Sequence, residues 1–541
     1  RGVCFSSLKN QNMHKSGGCT VEQSRVDKFI FSVALIVLGI FTVPVLINPE
    51  KGNQFLGSVL GLISGKFGAL YLLVTFLIFC TLMYLAFSKY GGIKLGDKDE
   101  KPEFSTVSWM GLIFTSTAGS SLLYWGFIEW TYYYTAPPFG ISPGSVEAAE
   151  WASTYGIFHW GFMGFAIYCL PSIALAYALY VRKVPNTRLS SACRGVLGDR
   201  VDGYLGKCID IMFMFGIVGG VGTSLGLGTP MLSEAISGLT GIERSLGLDL
   251  AIIAFWTAIF SASVYFGLKK GLKILSDINI NIYLIFALFF FIAGPTVFII
   301  NKFTDSMGLL VQNFLRMSLY TDSIGGSTFA QDWTIFYWAW WFALAPFMAM
   351  FTARISKGRT IRSVVVAMCV GGTLGCALAF SVFGNTSLYF EMNDIVPVID
   401  IVQNEGAPAA IVAMIQAMPF GSGALLAVFI VLAFIFLATT IDSAAYTLSF
   451  MSTQATTEEK EPARWVRLFW AAVIGSVAII LMYGGGLEAL QTLSVITGFP
   501  IMFISIIIGV SLLKWLKEDS TVSSAVPVPP KREYPPEKKS S

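Results

Sequence analysis

Charge is what this chain has least of. Asp, Glu, Lys and Arg make up 13% of its 541 residues, against about 25% in a soluble domain. An ordinary water-soluble globule is thereby excluded. Histidine is scarcer still, with only His14 and His159. No HExxH, no paired Cys/His set and no nucleotide-binding loop occurs, so the usual zinc-hydrolase and nucleotide chemistries lack their ligands. The Gly-rich run 219–228 fails as a dinucleotide fingerprint, because it lies in an apolar stretch without a βαβ context. The eight cysteines, Cys4, Cys19, Cys80, Cys169, Cys193, Cys208, Cys369 and Cys376, show no metal-ligand spacing. Neither a cysteine metal site nor a structural disulfide is expected. Residues 1–28 lack an apolar stretch, so no signal peptide is expected. A net charge of +3 gives no sign of a nucleic-acid partner.

What is present is apolar length. Hydrophobic residues make up 55% of the chain. Runs of about 20 apolar residues mark helices that cross a bilayer. Twelve such spans fall near 29–48, 67–87, 107–134, 152–181, 209–233, 250–268, 279–300, 333–353, 361–384, 423–449, 466–484 and 491–514. Strands of a membrane barrel would alternate in polarity with period two, and none do. The fold class is therefore all-α integral membrane. Lysines and arginines gather after the even-numbered spans, as in Lys89, Lys94, Lys98, Lys101, Arg182, Lys183, Arg188 and Arg194. The positive-inside rule then places both termini in the cytoplasm and the chain in the cell inner (plasma) membrane. The organisation reads as a cytoplasmic tail at 1–28, two peripheral helices at 29–100, a core at 101–519 and a disordered tail at 520–541.

Aromatic residues are concentrated at Tyr337-Trp338-Ala339-Trp340-Trp341. Clustered indoles in a span can be interface anchors. Here the sequence stays apolar on both sides from Ile335 to Phe351, which fits an anchor poorly. The alternative is a π-walled box for a cation that cannot hydrogen-bond, such as a quaternary ammonium. Trp160 and Tyr168 in span four lie about 80° apart on a continuous helix, so both can face one cavity, with Phe165 between them. At least one of Tyr132, Tyr133 and Tyr134 should also point inward.

Other features carry two readings each. Ser116 to Ser121 is either a seam of small residues or a stretch that unwinds and offers carbonyls to an ion. The glycines of 219–228 either pack a neighbour or mark a hinge. Thr439 and Thr440 either bond back to their own helix or present two hydroxyl oxygens to a hard cation. Glu129 and Asp442 are intramembrane carboxylates, functional by default unless each merely satisfies a helix end or pairs with a cytoplasmic arginine. His159, alone in its span, reads as a packing residue. Segment 306–319 reads as a helix lying on the bilayer surface or against a partner subunit. A membrane-embedded enzyme and a channel are the weaker classes, because no nucleophile–base set and no filter sequence stands out.

Several of these stretches together resemble the betaine/carnitine/choline transporter (BCCT) family over about residues 30–515. They are Tyr124-Trp125-Gly126-Phe127-Ile128-Glu129, Phe158-His159-Trp160, Gly222 to Gly228, Phe336 to Trp341 and Ala353 to Thr360. The resemblance implies twelve transmembrane helices with a five-plus-five inverted repeat in spans three to twelve, a LeuT-like arrangement similar to sodium-coupled amino-acid symporters. It implies import of a quaternary-ammonium compound by alternating access, in a homotrimer, in the service of osmoprotection. Glycine betaine or carnitine is favoured and choline remains open. The family's aromatic box falls on Trp160, Tyr168 and Trp341, with Trp340 adjacent. Phe165 stands where betaine carriers have another tryptophan, and Tyr132 stands where carnitine carriers have a tyrosine. The sodium site of coupled members falls on the backbone of Thr115 and Ala118, on Phe436, and on the hydroxyls of Thr439 and Thr440. Sodium-independent carnitine/butyrobetaine antiporters carry an arginine where this chain has Asn279. Met348, however, matches a methionine of those exchangers. No cofactor beyond the coupling Na+ is implied.

Overall fold

The protein was analysed as a computed structural model, which describes residues 25–184, 188–266, 269–419, 422–454 and 462–525. Most of the two predicted tails, including Cys4 and Cys19, lies outside the described residues. The principal helices are α1 (Lys28–Ile47), α2 (Pro49–Phe87), α3 (Thr106–Thr135), α4 (Val146–His159), α5 (Phe162–Ala176), α6 (Tyr204–Thr240) and α7 (Leu246–Phe266). They continue with α8 (Lys269–Ala293), α9 (Thr296–Leu319), α10 (Phe336–Ile355), α11 (Ile361–Met392), α12 (Ala407–Ala417), α13 (Ser422–Met451) and α14 (Arg464–Ala525). Among the described residues, each of the twelve segments expected from hydropathy is largely helical, although the fourth is interrupted and the seventh runs across a bend. Among the described residues, nine helical stretches are long and apolar enough to cross a membrane, and ten if a bent pair counts as one.

That pair is α8 and α9, which meet at 106°. Gly294 and Pro295 separate them, and proline cannot continue the hydrogen-bond ladder of α8. Span seven was predicted to reach residue 300, whereas Thr296 to Ile300 belong to the next helix. Two other long helices break at a glycine with positive φ, a conformation costly for any residue with a Cβ. Gly119 (φ 37, ψ −155) interrupts α3. Gly486 (φ 61, ψ −146) divides α14 into two spans. Span four is also broken, because α4 stops at His159 and α5 starts at Phe162. The 80° separation of Trp160 and Tyr168 assumed a continuous helix and does not carry across that break. At its far end α14 stays helical to Ala525.

Glycine sets how closely the central helices approach. A Cβ on Gly219 would meet Thr497, one on Gly220 Leu344, one on Gly226 Leu490 and one on Gly228 Leu437. These glycines of α6 therefore serve as packing surfaces against α14, α10 and α13, and α6 continues straight through them. Gly498 of α14 lies against the Ala339 carbonyl of α10 in the same way.

The start of α1 is tied down by charge. Asp27 caps the helix through the N–H groups of Phe29 and Ile30. It pairs with Lys207 at 2.9 Å and with Arg188 at 3.4 Å. Arg188 also donates to the Thr453 carbonyl at 2.7 Å, and the chain pairs briefly with the end of α13 at Val26 and Thr453. Burial alone would raise the Asp27 pKa, but the Lys207 ammonium, the Ile30 N–H and the Arg188 guanidinium outweigh it and hold the carboxyl below its ordinary value. A carboxyl with a lowered folded pKa stabilises the fold above its unfolded pKa, and that contribution is lost as pH falls through the folded value. Asp27→Asn should therefore lower the melting temperature of detergent-solubilised protein at pH 7. The gap to wild type should close as pH drops below about 4, and a pH-independent gap would refute the linkage.

Candidate functional site

The aromatic residues of α10 pack on those at the break between α4 and α5. Trp160 occupies the break itself, as the residue that ends α4, with its N–H bonded to the Gly156 carbonyl at 3.2 Å. Its ring meets Trp340 at 5.9 Å and 87°, and Trp341 at 5.9 Å and 70°. Trp341 further contacts Tyr168 at 4.5 Å and Phe165 at 5.1 Å. Near-perpendicular rings at this spacing can both lie within cation–π reach, roughly 6 Å, of one point. All five rings are buried. Glycine again makes the room: a side chain at Gly164 would overlap the Trp341 ring, and one at Gly372 the Phe165 ring. The Trp340 indole N–H is satisfied by the Gly220 carbonyl at 3.0 Å, which ties the cluster to α6.

Tyr132 stands apart from this group. Its ring lies against Trp333 at 4.9 Å and Trp125 at 6.0 Å, and Trp125 in turn meets Tyr337 at 6.0 Å. Met348 is buried two turns beyond Trp341 on α10. The structure thus gathers Trp160, Phe165, Tyr168, Trp340 and Trp341 into one cluster and sets Tyr132 in an adjoining one.

Beneath the rings sits Glu129, fully buried. It accepts from the hydroxyls of Tyr133 and Tyr337, each at 2.6 Å, and from the Trp160 indole N–H at 2.9 Å. It is therefore neither a helix cap nor the partner of an arginine. Asp442 does follow the arginine reading, pairing with Arg467 at 3.0 Å. His159 is satisfied on both nitrogens, by Tyr133 at 2.8 Å and by Thr334 at 3.0 Å.

The predicted cation site has a different character. Gly119, where α3 departs from helical geometry, faces α13. A Cβ built there would lie 3.4 Å from the Thr440 hydroxyl oxygen. Breaking a helix frees carbonyls that would otherwise be bonded four residues on. Thr439 donates to the carbonyls of Ile435 and Phe436, and Thr440 donates to that of Phe436 at 2.9 Å. Back-bonding uses the hydroxyl hydrogens and leaves oxygen lone pairs as acceptors. The donor set of hydroxyl and carbonyl oxygens suits a hard cation. Thr115 and Ala118 lie in α3 just before the break, and their side chains fall outside the described residues.

Sequence reasoning missed the acceptor role of Glu129 and the packing of Phe380 on Trp160 at 5.9 Å. The pair Glu129 and Tyr133 was within reach, since residues four apart share a helix face. Tyr337 and Trp160 come from other helices, and no spacing rule joins them to Glu129.

A helix broken beside a buried aromatic cluster, in a multi-pass membrane protein, is a feature of secondary transporters. The model of the family described as BCCT, betaine/carnitine/choline family transporter, matches residues 29–521, and the chain belongs to that family of transporters, which are not enzymes. Among its relatives is a carnitine transporter of Acinetobacter baumannii, 35% identical over 494 residues, covering 91% of this chain and 89% of that protein.

The cluster makes one direct demand on Gly164. Gly164→Val should displace the Trp341 ring, at a cost of about 1–3 kcal/mol for overpacking. A lower melting temperature and a shifted tryptophan emission are expected. Wild-type values for both would show that the two helices are less closely packed than described.

Proposed function

We propose that the protein imports a quaternary-ammonium zwitterion, carnitine first and glycine betaine second, by sodium symport. The observation that carries this reading is the Trp160 ring set edge-to-face against both Trp340 and Trp341, with Tyr168 and Phe165 packed on Trp341. A trimethylammonium group has no hydrogen to donate, and aromatic faces attract it at roughly 0.5–2 kcal/mol per ring. The relative named as a carnitine transporter puts carnitine ahead of choline. Sodium coupling is supported by the break at Gly119 beside Thr440 and by the paired hydroxyls of Thr439 and Thr440. In this reading Na+ is held by those two hydroxyls, the Phe436 carbonyl and the backbone of Thr115 and Ala118. Tyr132 and Met348 border the substrate path. Both termini face the cytoplasm, in keeping with the basic connections after even-numbered spans. The exposed apolar Val311 and Leu315 of α9 suit contacts in a homotrimer.

Substrate:product exchange without sodium is the second reading. It is favoured by Met348 and by the fact that both threonine hydroxyls already bond within their own helix.

Two measurements test these assignments. Trp341→Ala should weaken carnitine binding by on the order of 5- to 30-fold, equivalent to about 1–2 kcal/mol, and Trp341→Phe by less. Unchanged affinity in folded Trp341→Ala protein would remove the box. In proteoliposomes, uptake of labelled carnitine, glycine betaine and choline is compared under sodium and potassium gradients. Sodium should drive accumulation, and Thr440→Val should raise the sodium concentration for half-maximal uptake without loss of folded protein. Equal, concentrative uptake in potassium would overturn coupling, and stimulation by preloaded substrate would then favour exchange.

A further inference from the structure

Glu129 lies outside every role assigned so far, yet it is the most heavily bonded side chain near the aromatic cluster. It is a carboxyl with no surface exposure, and three donors from three helical segments converge on it. Tyr133 of α3 reaches Oε1, while Tyr337 of α10 and Trp160 at the α4–α5 break both reach Oε2. A carboxyl group offers about four lone-pair sites, so it accepts all three bonds at once. The hydrogen of Tyr133 is spent on Glu129. With that assignment, the His159 tautomer that fits donates from Nδ1–H to the Tyr133 oxygen and accepts at Nε2 from Thr334. The His159 ring also stacks on Tyr337 at 4.7 Å and 24°, and its Nδ1 is 3.7 Å from Glu129 Oε1. Every member of this set thus points its donor, directly or through Tyr133, at one acceptor.

We propose that Glu129 is a positioning residue for the transport site, fixing the Trp160 ring and making its face a stronger ligand for a cation. The inference rests on Trp160 being a wall of the substrate box. Two physical effects support it. Trp160 sits where the helix ends, so the backbone ladder on its C-terminal side does not hold it. Its indole N–H bond to Glu129 supplies the missing constraint. In addition, an N–H that donates to a carboxyl oxygen is polarised, and polarisation passes along hydrogen bonds in a low-dielectric interior. Electron density drawn toward the ring strengthens the quadrupole that attracts a cation.

The test is a double-mutant cycle on the full-length protein, with carnitine as the probe and its carbon isostere, a tert-butyl group in place of trimethylammonium, as the neutral control. Dissociation constants are measured for wild type, Glu129→Gln, Trp160→Phe and the double variant. Phenylalanine keeps a π face and removes the N–H. Each single variant should weaken carnitine binding by roughly 5- to 20-fold, and the second substitution should add less than about threefold, because both remove one interaction. Glu129→Gln should also narrow the preference for carnitine over the isostere. If it does not fold, Glu129→Asp, which withdraws the carboxylate by one methylene, takes its place in the cycle. A purely architectural Glu129 would give equal losses in both backgrounds and an unchanged preference, and either result overturns the proposal. Trp341→Ala separates the two levels of inference. Loss of binding there, with an additive Glu129 cycle, refutes the positioning role alone. Unimpaired binding in Trp341→Ala removes the box and this inference with it.

Discussion

Hydrocarbon offers no hydrogen-bond partner, so a polar group carried into the bilayer must find one within the protein. That constraint organises the centre of this molecule. Glu129 is surrounded by apolar and aromatic side chains, and its two oxygens are met by Tyr133, Tyr337 and Trp160. Those three donors belong to separate helical segments, so meeting the carboxyl also brings α3, α10 and the α4–α5 junction together. Thr334 and His159 extend the same network by one more step each. The polar set and the aromatic cluster share Trp160: its edge is bound and its faces remain for packing or for a ligand.

Helix breaks serve the same chemistry. A continuous helix hides its carbonyls in its own ladder, whereas a glycine in the left-handed region or a change of direction releases some of them. The break at Gly119 lies beside Thr440, and the break at Trp160–Gly161 lies beside Trp341. At Trp160–Gly161 the irregular backbone is buried among other helices, the setting in which a membrane tolerates it. Close packing through glycine completes the arrangement. Gly164 admits Trp341, Gly372 admits Phe165, and the glycines of α6 let that helix run against α10, α13 and α14.

Membership in the betaine/carnitine/choline transporter family implies a quaternary-ammonium cargo, and the role proposed for the aromatic cluster is consistent with it. The cluster favours a cation that cannot be bound by hydrogen bonds. The region of Gly119 and the two threonines presents hydroxyl and carbonyl oxygens, which suit a small hard ion. The proposed sodium symport needs two separate sites of unlike chemistry, so that the two ligands favour the same conformation without competing for one site.

The amino-acid sequence by itself determined the membrane class, the helical segments and the identity of the aromatic residues. These follow from local composition, and lipid permits few alternatives to a helix. For the run from Ser116 to Ser121 it left a packing seam and an unwound stretch both open, and the break at Gly119 came from the structure. Only the tertiary structure decided who meets whom. The interruption at Trp160 removed the rotational argument that had linked it to Tyr168, and contact with Trp341 replaced it. Tyr132 went to Trp333 instead of Trp341. The bend at Gly294–Pro295 moved Thr296 to Ile300 out of span seven and into the next helix. Glu129 and Asp442 look alike in sequence, yet one gathers three uncharged donors and the other an arginine. The reason is physical: helical periodicity reports which residues share a face, whereas the partner of that face comes from a helix distant in the chain and is chosen by packing.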